Sequence, residues 1–260
     1  MVKKIATHNK IFHADEVSAI ALLKIFTDDD IVVARVNHDT IAFNSYDMII
    51  DVGKKYDGIK YFDHHQYKGG KSSAGLIWEY LGFEDEYPKI SKLIKLIDDN
   101  DTGVSKAKEF EFSSLIKAYN HKNIYSIEQD LQFAKAVEFA IIVFNFLVDA
   151  QNELNKAKSI VANSFVFNNN PAILELDSFT PHWTTYINGE TTPHIKAVVW
   201  EDEIENNYKV KIPSKRLGSF ELNGRALKPD SSMEFVHSAG HFAIAKDEQT
   251  MIKFLEKQFV

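Results

Sequence analysis

The sequence predicts an α/β fold: a parallel sheet with helices on both faces, followed by a smaller C-terminal α/β domain. Three observations predict it. Almost wholly apolar runs recur at residues 31–36, 46–50 and 59–62, and unbroken apolar strands mark sheets that are buried on both faces. Helix-length or crossover-length segments separate them, beginning with Ala14–Phe26 and its stripe of Val17, Ile20, Ala21, Leu22 and Ile25, as parallel connections require. Polar residues able to bind metal stand directly after the strand-like runs, at His8, Asp51 and Asp63-His64-His65. In parallel sheets, ligands sit outside those carboxyl ends.

In chain order, residues 3–7 form a first strand that delivers His8, and 9–12 form a loop. The helix after it starts over the same sheet edge, which brings His13, Asp15 and Glu16 there; acids in a first turn also complement the helix dipole. Asp28-Asp29-Asp30 ends that helix as a solvated turn. Strand 46–50 ends on Asp51 and Gly53, and strand 59–62 on Asp63. Ser72-Ser73-Ala74-Gly75 opens a helix through Leu76, Ile77, Tyr80 and Leu81, with Ser72 or Ser73 as N-cap. The Gly69-Gly70 loop before it carries Lys68 and Lys71, placed as well to meet a phosphate as to connect two elements. Pro88 begins a helix over 89–97, stopped by Asp98-Asp99-Asn100-Asp101.

Residues 105–158 contain neither Pro nor Gly and read as helical, with Phe133, Val137, Phe139, Ile141, Phe144 and Leu147 as core. Asn168-Asn169-Asn170-Pro171 is the clearest break, after a strand-like Phe165-Val166-Phe167. The boundary falls near Asn163, giving a catalytic metal-binding domain over 1–162 and a substrate-binding domain over 163–260. Shorter strands follow at 172–176, 195–200 and 208–212, and a last helix at 247–259. Within 209–228, Lys209, Lys211, Lys215, Arg216, Arg225 and Lys228 face one acid, Glu221. Such a strip is either a solvated face or a surface for a polyanion.

Composition narrows the class. At 260 residues with 45% hydrophobic side chains, the chain can bury a sizeable core. A formal charge of −7 argues against a protein that coats nucleic acid generally. The absence of cysteine excludes a disulfide framework and thiolate zinc, and fits a reducing interior. Thr7, His8, Asn9 and Lys10 interrupt any apolar signal core. The longest apolar run, 137–148, holds Glu138 and Asn145 and falls short of the roughly 20 residues of a membrane helix. A soluble cytoplasmic protein with no membrane partner is expected.

His8, His13, Asp15, Asp51, Asp63, His64, His65 and Asp101 form an imidazole and carboxylate set that suits Mn²⁺ or Mg²⁺, and less exclusively Zn²⁺ or Fe²⁺. They are too many for one ion. Two ions about 3.5–4 Å apart would use them, activating a water and neutralising a phosphoryl group.

His8-x4-His13-x-Asp15, Asp51, Asp63-His64-His65 and Asp101-Thr102-Gly103 resemble the four-motif signature of the DHH phosphoesterase superfamily. Phe12-His13-Ala14-Asp15-Glu16, Asp51-Val52-Gly53 with Tyr56-Asp57, Asp63-His64-His65-Gln66 and Ser72-Ser73-Ala74-Gly75-Leu76 look most like its Myg family, often labelled metal-dependent protein hydrolases. The likeness covers the first hundred residues; beyond them it rests on Phe235-Val236-His237-Ser238-Ala239-Gly240.

The resemblance implies a two-domain DHH fold with its metal centre at the sheet edge and substrate in the cleft between domains. It also implies phosphodiester hydrolysis, in Myg relatives as a 3′-to-5′ RNA exonuclease. Carried over, His8, His13 and Asp15 bind one ion or the other, Asp51 and Asp101 bridge or flank them, and His64 completes the second site. His65 contacts the scissile phosphate or supports the site rather than binding metal, and His64, His65 and Asp51 carry catalysis. Asp101 is chosen over Asp98 because Thr102-Gly103 follows it as in the family pattern. Many superfamily members have Asp where this chain has His13, with one residue less after His8. Lys68, Lys215, Arg225, His237, Ser238 and Gly240 are the substrate-binding candidates. The expected partner is RNA or a short oligonucleotide, and a homodimer is possible. The alternatives are a phosphatase or pyrophosphatase acting on a small phosphate compound, and a non-catalytic metal-binding regulator. Neither an HExxH helix nor a nucleophile triad supports a protein hydrolase.

Overall fold

The computed structural model describes residues 1–38 and 42–259. Packing divides the chain into two compact units, Met1–Gln151 and Asn152–Val260.

The first unit contains strands β1 (Val2–His8), β2 (Asp30–Val36), β3 (Met48–Ile50) and β4 (Tyr61–Phe62). They form one sheet in the order β2-β1-β3-β4, parallel throughout. The chain steps from β1 to β2 on one side and then returns to build β3 and β4 on the other. The order therefore reverses between β1 and β3, which is where a parallel sheet opens a crevice at its carboxyl edge. His8 ends β1 and Asp51 follows β3, so these two residues flank the crevice.

Alternation along the strands sets the faces. Ile5, Ile31, Met48, Ile50 and Phe62 point into the main core, against helices α1 (Ala14–Phe26), α2 (Ser73–Leu81), α3 (Pro88–Asp101), α4 (Phe112–Ala118) and the first part of α5 (Ile127–Ala162). Ala6 and Ile49 point the other way, where Phe43, Tyr46 and Tyr61 cover them from around a short 3-10 turn at Phe43–Ser45. The expected strand 46–50 shortens to Met48–Ile50, which follows that turn. The expected strand 59–62 shortens to its last two residues, because Asp57 accepts hydrogen bonds from the backbone N–H groups of Ile59, Lys60 and Tyr61 and folds the preceding segment into a turn.

Two helical expectations change. Helix α3 continues through Asp101 instead of stopping at Ile97, so Asp98 and Asp101 lie one turn apart on it. The stretch expected to be helical from 105 breaks into α4, a loop and α5. In that loop, Asn120 accepts from the Phe12 N–H at 3.0 Å and donates to the Phe12 carbonyl at 2.9 Å. Side chains that bond distant backbone in this way favour a loop over a helix.

Helix α5 has 36 residues, and its most apolar 18-residue window reaches a mean hydropathy of 1.7. By length and composition alone it is long enough to cross a membrane. It is longer than the apolar run read from the sequence because Phe133 and Ala136 extend the pattern. These residues, with Val137 and Ala140, are buried in the core of the first unit.

The unit boundary falls inside α5, at Gln151, ahead of the expected turn near Asn163. The reason is local: Ile160 and Val161 pack with Leu176, Trp183 and Val198 of the second unit. That unit is a mixed six-stranded sheet in the order β5-β6-β7-β8-β10-β9. Its strands are β5 (Phe165–Val166), β6 (Ile173–Leu176), β7 (Ala197–Asp202), β8 (Asn207–Lys211), β9 (Phe235–Val236) and β10 (Phe242–Ala245). Ala197, Val199, Val210, Ala243 and Ala245 face helix α6 (Glu248–Gln258) through Met251, Phe254 and Leu255. Asp247 caps that helix, accepting from the Thr250 N–H at 2.8 Å.

Candidate metal centre

The carboxyl edge of the parallel sheet gathers His8, Asp15, Glu16, Asp51, His64 and Asp101. His8 reaches it with a fixed ring: its Nδ1 lies 2.8 Å from the Asn9 carbonyl, which only accepts, so Nδ1 carries the proton. Nε2 is left to face the carboxylates, 3.0 Å from Glu16 Oε1 and 3.2 Å from Asp51 Oδ2. A second bond that fixes the tautomer in this way is typical of histidine ligands.

Asp51 is the hub. It is 2% exposed and has a φ of 58°, a left-handed conformation that is uncommon for a residue with a Cβ and clusters at functional sites. The twist turns its carboxylate back over the sheet edge. Oδ2 faces His8, whereas Oδ1 lies 3.3 Å from His64 Nε2 and accepts a 3.0 Å bond from the Ser73 hydroxyl. Each oxygen thus addresses a different imidazole.

Asp15 and Glu16 sit in the first turn of α1, both fully buried. Glu16 also accepts from the His13 N–H at 3.0 Å. Neither oxygen of Asp15 has a hydrogen-bond partner. Its nearest cation is His64 Nε2, at 3.7 Å from Oδ2. That nitrogen lies 3.0 Å from Asp101 Oδ2 as well, yet no acceptor is in line for a hydrogen bond. Short distances without bonding alignment mean that charge holds these groups together.

Four carboxylates against two imidazoles leave an excess of negative charge in a buried place, and a buried charge without a partner is costly. Burial, then the charges of Asp51, Glu16 and Asp101, push the Asp15 carboxyl well above the usual range. Asp51 is driven the opposite way: burial works against its charge, but His64 and His8 outweigh it and hold the carboxyl well below the usual range. For His8, burial opposes protonation, and the contacts with Asp51 and Glu16 overcome it, raising the pKa to about 11. His64 is raised to about 10 in the same way, by Asp101 and Asp51.

These residues fit divalent cations. Sets of three side chains can each bring ligand atoms within 4.8 Å of one another: His8, His13 and Glu16; Asp51, His64 and His65; His13, Asp15 and Asp101; Asp15, Glu16 and Asp51. Shared members make two neighbouring ions possible. A testable consequence follows from the raised imidazoles. Because metal needs neutral His8 and His64 and an ionised Asp15, loading two cations at pH 7.5 should release at least about two protons. Titration calorimetry in buffers of different ionisation enthalpy measures that number; release near zero would mean that these rings stay out of the metal shell.

Several expected residues take other places. Asp63 is not aimed at the cluster; it accepts from the Lys54 N–H at 2.6 Å and holds His65 Nδ1 at 2.7 Å, leaving His65 half exposed. Asp98 serves the start of α2, accepting from the Ser72 N–H and hydroxyl at 2.9 and 2.7 Å. Gly75 is required by the same carboxylate: a Cβ there would meet Asp98 Oδ1 at 2.6 Å. Lys68 is exposed, and no contact ties it to the cluster among the described residues.

Five candidates lie in the second unit. Lys215 pairs with Glu221 at 3.2 Å. Arg225 lines a pocket with Asn170, Lys196 and Asn223. His237 and exposed Ser238 sit in a turn where Gly240 N–H donates to the His237 carbonyl. Ligand approach is not what Gly240 serves: its φ is 67°, and a Cβ would press on Leu227 O and Ala226 Cβ, so it is small to fit its own chain. Lys209 of the basic strip is neutralised by Asp202 and Glu205, at 2.6 and 2.7 Å.

Residues 4–86 match the MYG1 exonuclease family model, described as "Uncharacterised protein family (UPF0160)". Through this segment the chain is similar to the Myg family. A MYG1 protein of Chlamydia pneumoniae is 38% identical over 152 residues, 54% of this chain and 52% of that one. Human MYG1 exonuclease is 38% identical over 98 residues, 30% of this chain and 25% of that one. A Dictyostelium discoideum MYG1 protein is 28% identical over 272 aligned residues, 84% of this chain and 80% of that one. This chain thus spans about half the length, or less, of several Myg relatives it matches. A crystal structure of Thermus thermophilus RecJ in complex with Mg²⁺ shows a distant likeness, at a TM-score of 0.29 and 12% identity over 98% of this chain and 48% of that one.

Proposed function

We propose that the chain is a divalent-metal-dependent phosphodiester hydrolase, a 3′-to-5′ exonuclease acting on RNA or short oligonucleotides. The observation that carries the reading is the Asp51 carboxylate, turned by a left-handed backbone so that each oxygen faces a different imidazole beside an unpartnered, fully buried Asp15. Relatives named as exonucleases support it.

His8, His13, Asp15 and Glu16 would hold one ion and His64 and Asp101 the other, with Asp51 shared. Bound there, a pair of Mn²⁺ or Mg²⁺ ions supplies an activated water and neutralises charge on the phosphoryl group. Asp63 keeps the proton on His65 Nδ1 and so fixes the half-exposed ring, leaving its Nε2 as the group that meets a substrate phosphate. Ser73 holds the Asp51 carboxylate in its orientation.

The test uses short RNAs labelled at the 5′ end, with added Mn²⁺ or Mg²⁺ and with chelator. Products shortened stepwise from the 3′ end, together with released mononucleotides, are expected, and chelator should stop the reaction. Orthophosphate release from pyrophosphate with intact RNA would replace this reading with that of a small-phosphate hydrolase.

A further inference from the structure

The second unit holds a pocket that the chemistry above leaves unused. On the sheet face turned away from α6, register places Trp200 opposite Lys209 and Phe242 opposite Lys211. The turn through Pro181 and Trp183 closes one side and Phe179 forms the lip, around a cavity of about 350 Å³. That volume lies in the range of small-ligand pockets, roughly 300–1,000 Å³.

Its walls are aromatic to an unusual degree. Trp183 and Trp200 are 1% and 4% exposed. Phe179 stacks on Trp200 with ring centres 4.8 Å apart and planes at 26°, yet remains 50% exposed. Phe242 lies 6.2 Å from the Trp200 ring. A flat ring backed by a buried tryptophan and half open to solvent is a stacking platform.

The charge of the rim points to what would stack there. The carboxylate in the lining, Asp202, is bound by Lys209 at 2.6 Å. Among the described residues Lys211 makes no ion pair, and its Nζ lies 5.8 Å from the Trp183 ring centre. The ring of His241, also in the lining, is 4.1 Å from that of His237. Burial, then the charges of His237 and Lys211, lower the His241 pKa, which favours the neutral ring. An apolar ligand would have no use for the Lys211 ammonium and the His241 ring nitrogens, and a bare phosphate none for the aromatic wall. A nucleotide uses both.

We propose that this pocket binds one nucleobase of a nucleic-acid strand, stacked on the open side of Phe179, with Lys211 and His241 at the adjoining phosphate. The proposal rests on the reading of the chain as a hydrolase of polynucleotides, and it adds a contact that is indifferent to sequence. Every base offers a π face, so the site would grip any single strand.

Fluorescence tests it without turnover. Of the three tryptophans in the chain, two line this pocket. The full chain in chelator, titrated with oligouridylate or oligoadenylate, should show saturable quenching. Phe179→Ala, whose side chain is half exposed, should keep the melting temperature and weaken binding about 5- to 150-fold, the range set by loss of one stacked base. Lys211→Ala should weaken binding and lower the salt slope by about one. An abasic ribose-phosphate oligomer should bind Phe179→Ala and the parent chain alike. Unchanged oligonucleotide affinity in Phe179→Ala, or equal loss with the abasic oligomer, would overturn the proposal. Hydrolysis of RNA by the metal-loaded parent is scored separately: binding without cleavage would count against the hydrolase and leave the pocket standing.

Discussion

Asp51→Asn should reduce RNA hydrolysis at least about 100-fold while the protein stays folded. Asparagine is among the few residues that tolerate a left-handed backbone, so the φ of 58° can persist, and the amide oxygen can still accept from Ser73. What disappears is the charge that faces both His8 and His64. A centre of this kind contributes several kcal/mol of transition-state stabilisation, and each 1.36 kcal/mol is tenfold in rate. The check is the stepwise RNA assay beside a melting curve. A variant with near-parental rates would show that Asp51 does not serve the reaction.

The second large effect runs in opposite directions for stability and for metal. Asp15→Asn removes a carboxylate that is fully buried and has no hydrogen-bond partner on either oxygen. Without cations the variant should be more stable than the parent, melting at least about 2 °C higher, as about 1 kcal/mol gives for a chain of this size. With cations the order should reverse. A ligand at 100 times its Kd stabilises by about 2.7 kcal/mol, and the variant should lose most of that gain. The pH dependence carries the sign. Because the folded Asp15 pKa is raised, the unfolded chain gives up its proton first as pH climbs, so the metal-free parent falls further behind the variant from about pH 4 upward. Metal-free melting temperatures that drop in the variant at pH 7 would contradict the account.

Much of the centre was legible because a parallel sheet places whatever follows its strands along one edge. His8, Asp51 and His64 needed only strand ends to be recognised, and the reversal of strand order between β1 and β3 did the rest. Glu16 was harder to read. An acid in the first turn of a helix has an ordinary role there, and nothing local shows that its oxygen lies 3.0 Å from His8 Nε2. Ser73 was hidden in the same way: it reads as a capping residue, whereas Ser72 is the N-cap and Ser73 turns its hydroxyl to Asp51.

Errors in the elements share one cause. The absence of Pro and Gly after residue 105 suggested continuous helix, but Asn120 spends its side chain on the backbone of Phe12, 108 residues away. Long-range bonds of that kind leave no periodic trace. In the second unit, β9 and β10 have two and four residues, too short for an alternating pattern to declare itself, so the aromatic pocket that β10 helps to line could not be read from the sequence.

The central claim is that the acids and imidazoles at the sheet edge surround a pair of cations. Crystals soaked in Mn²⁺ and measured at the manganese absorption edge test it most directly. Two anomalous peaks about 3.5–4 Å apart, both within bonding distance of Asp51, are the predicted result. A map with no peak among His8, Asp15, Asp51 and His64 at saturating Mn²⁺ would contradict it.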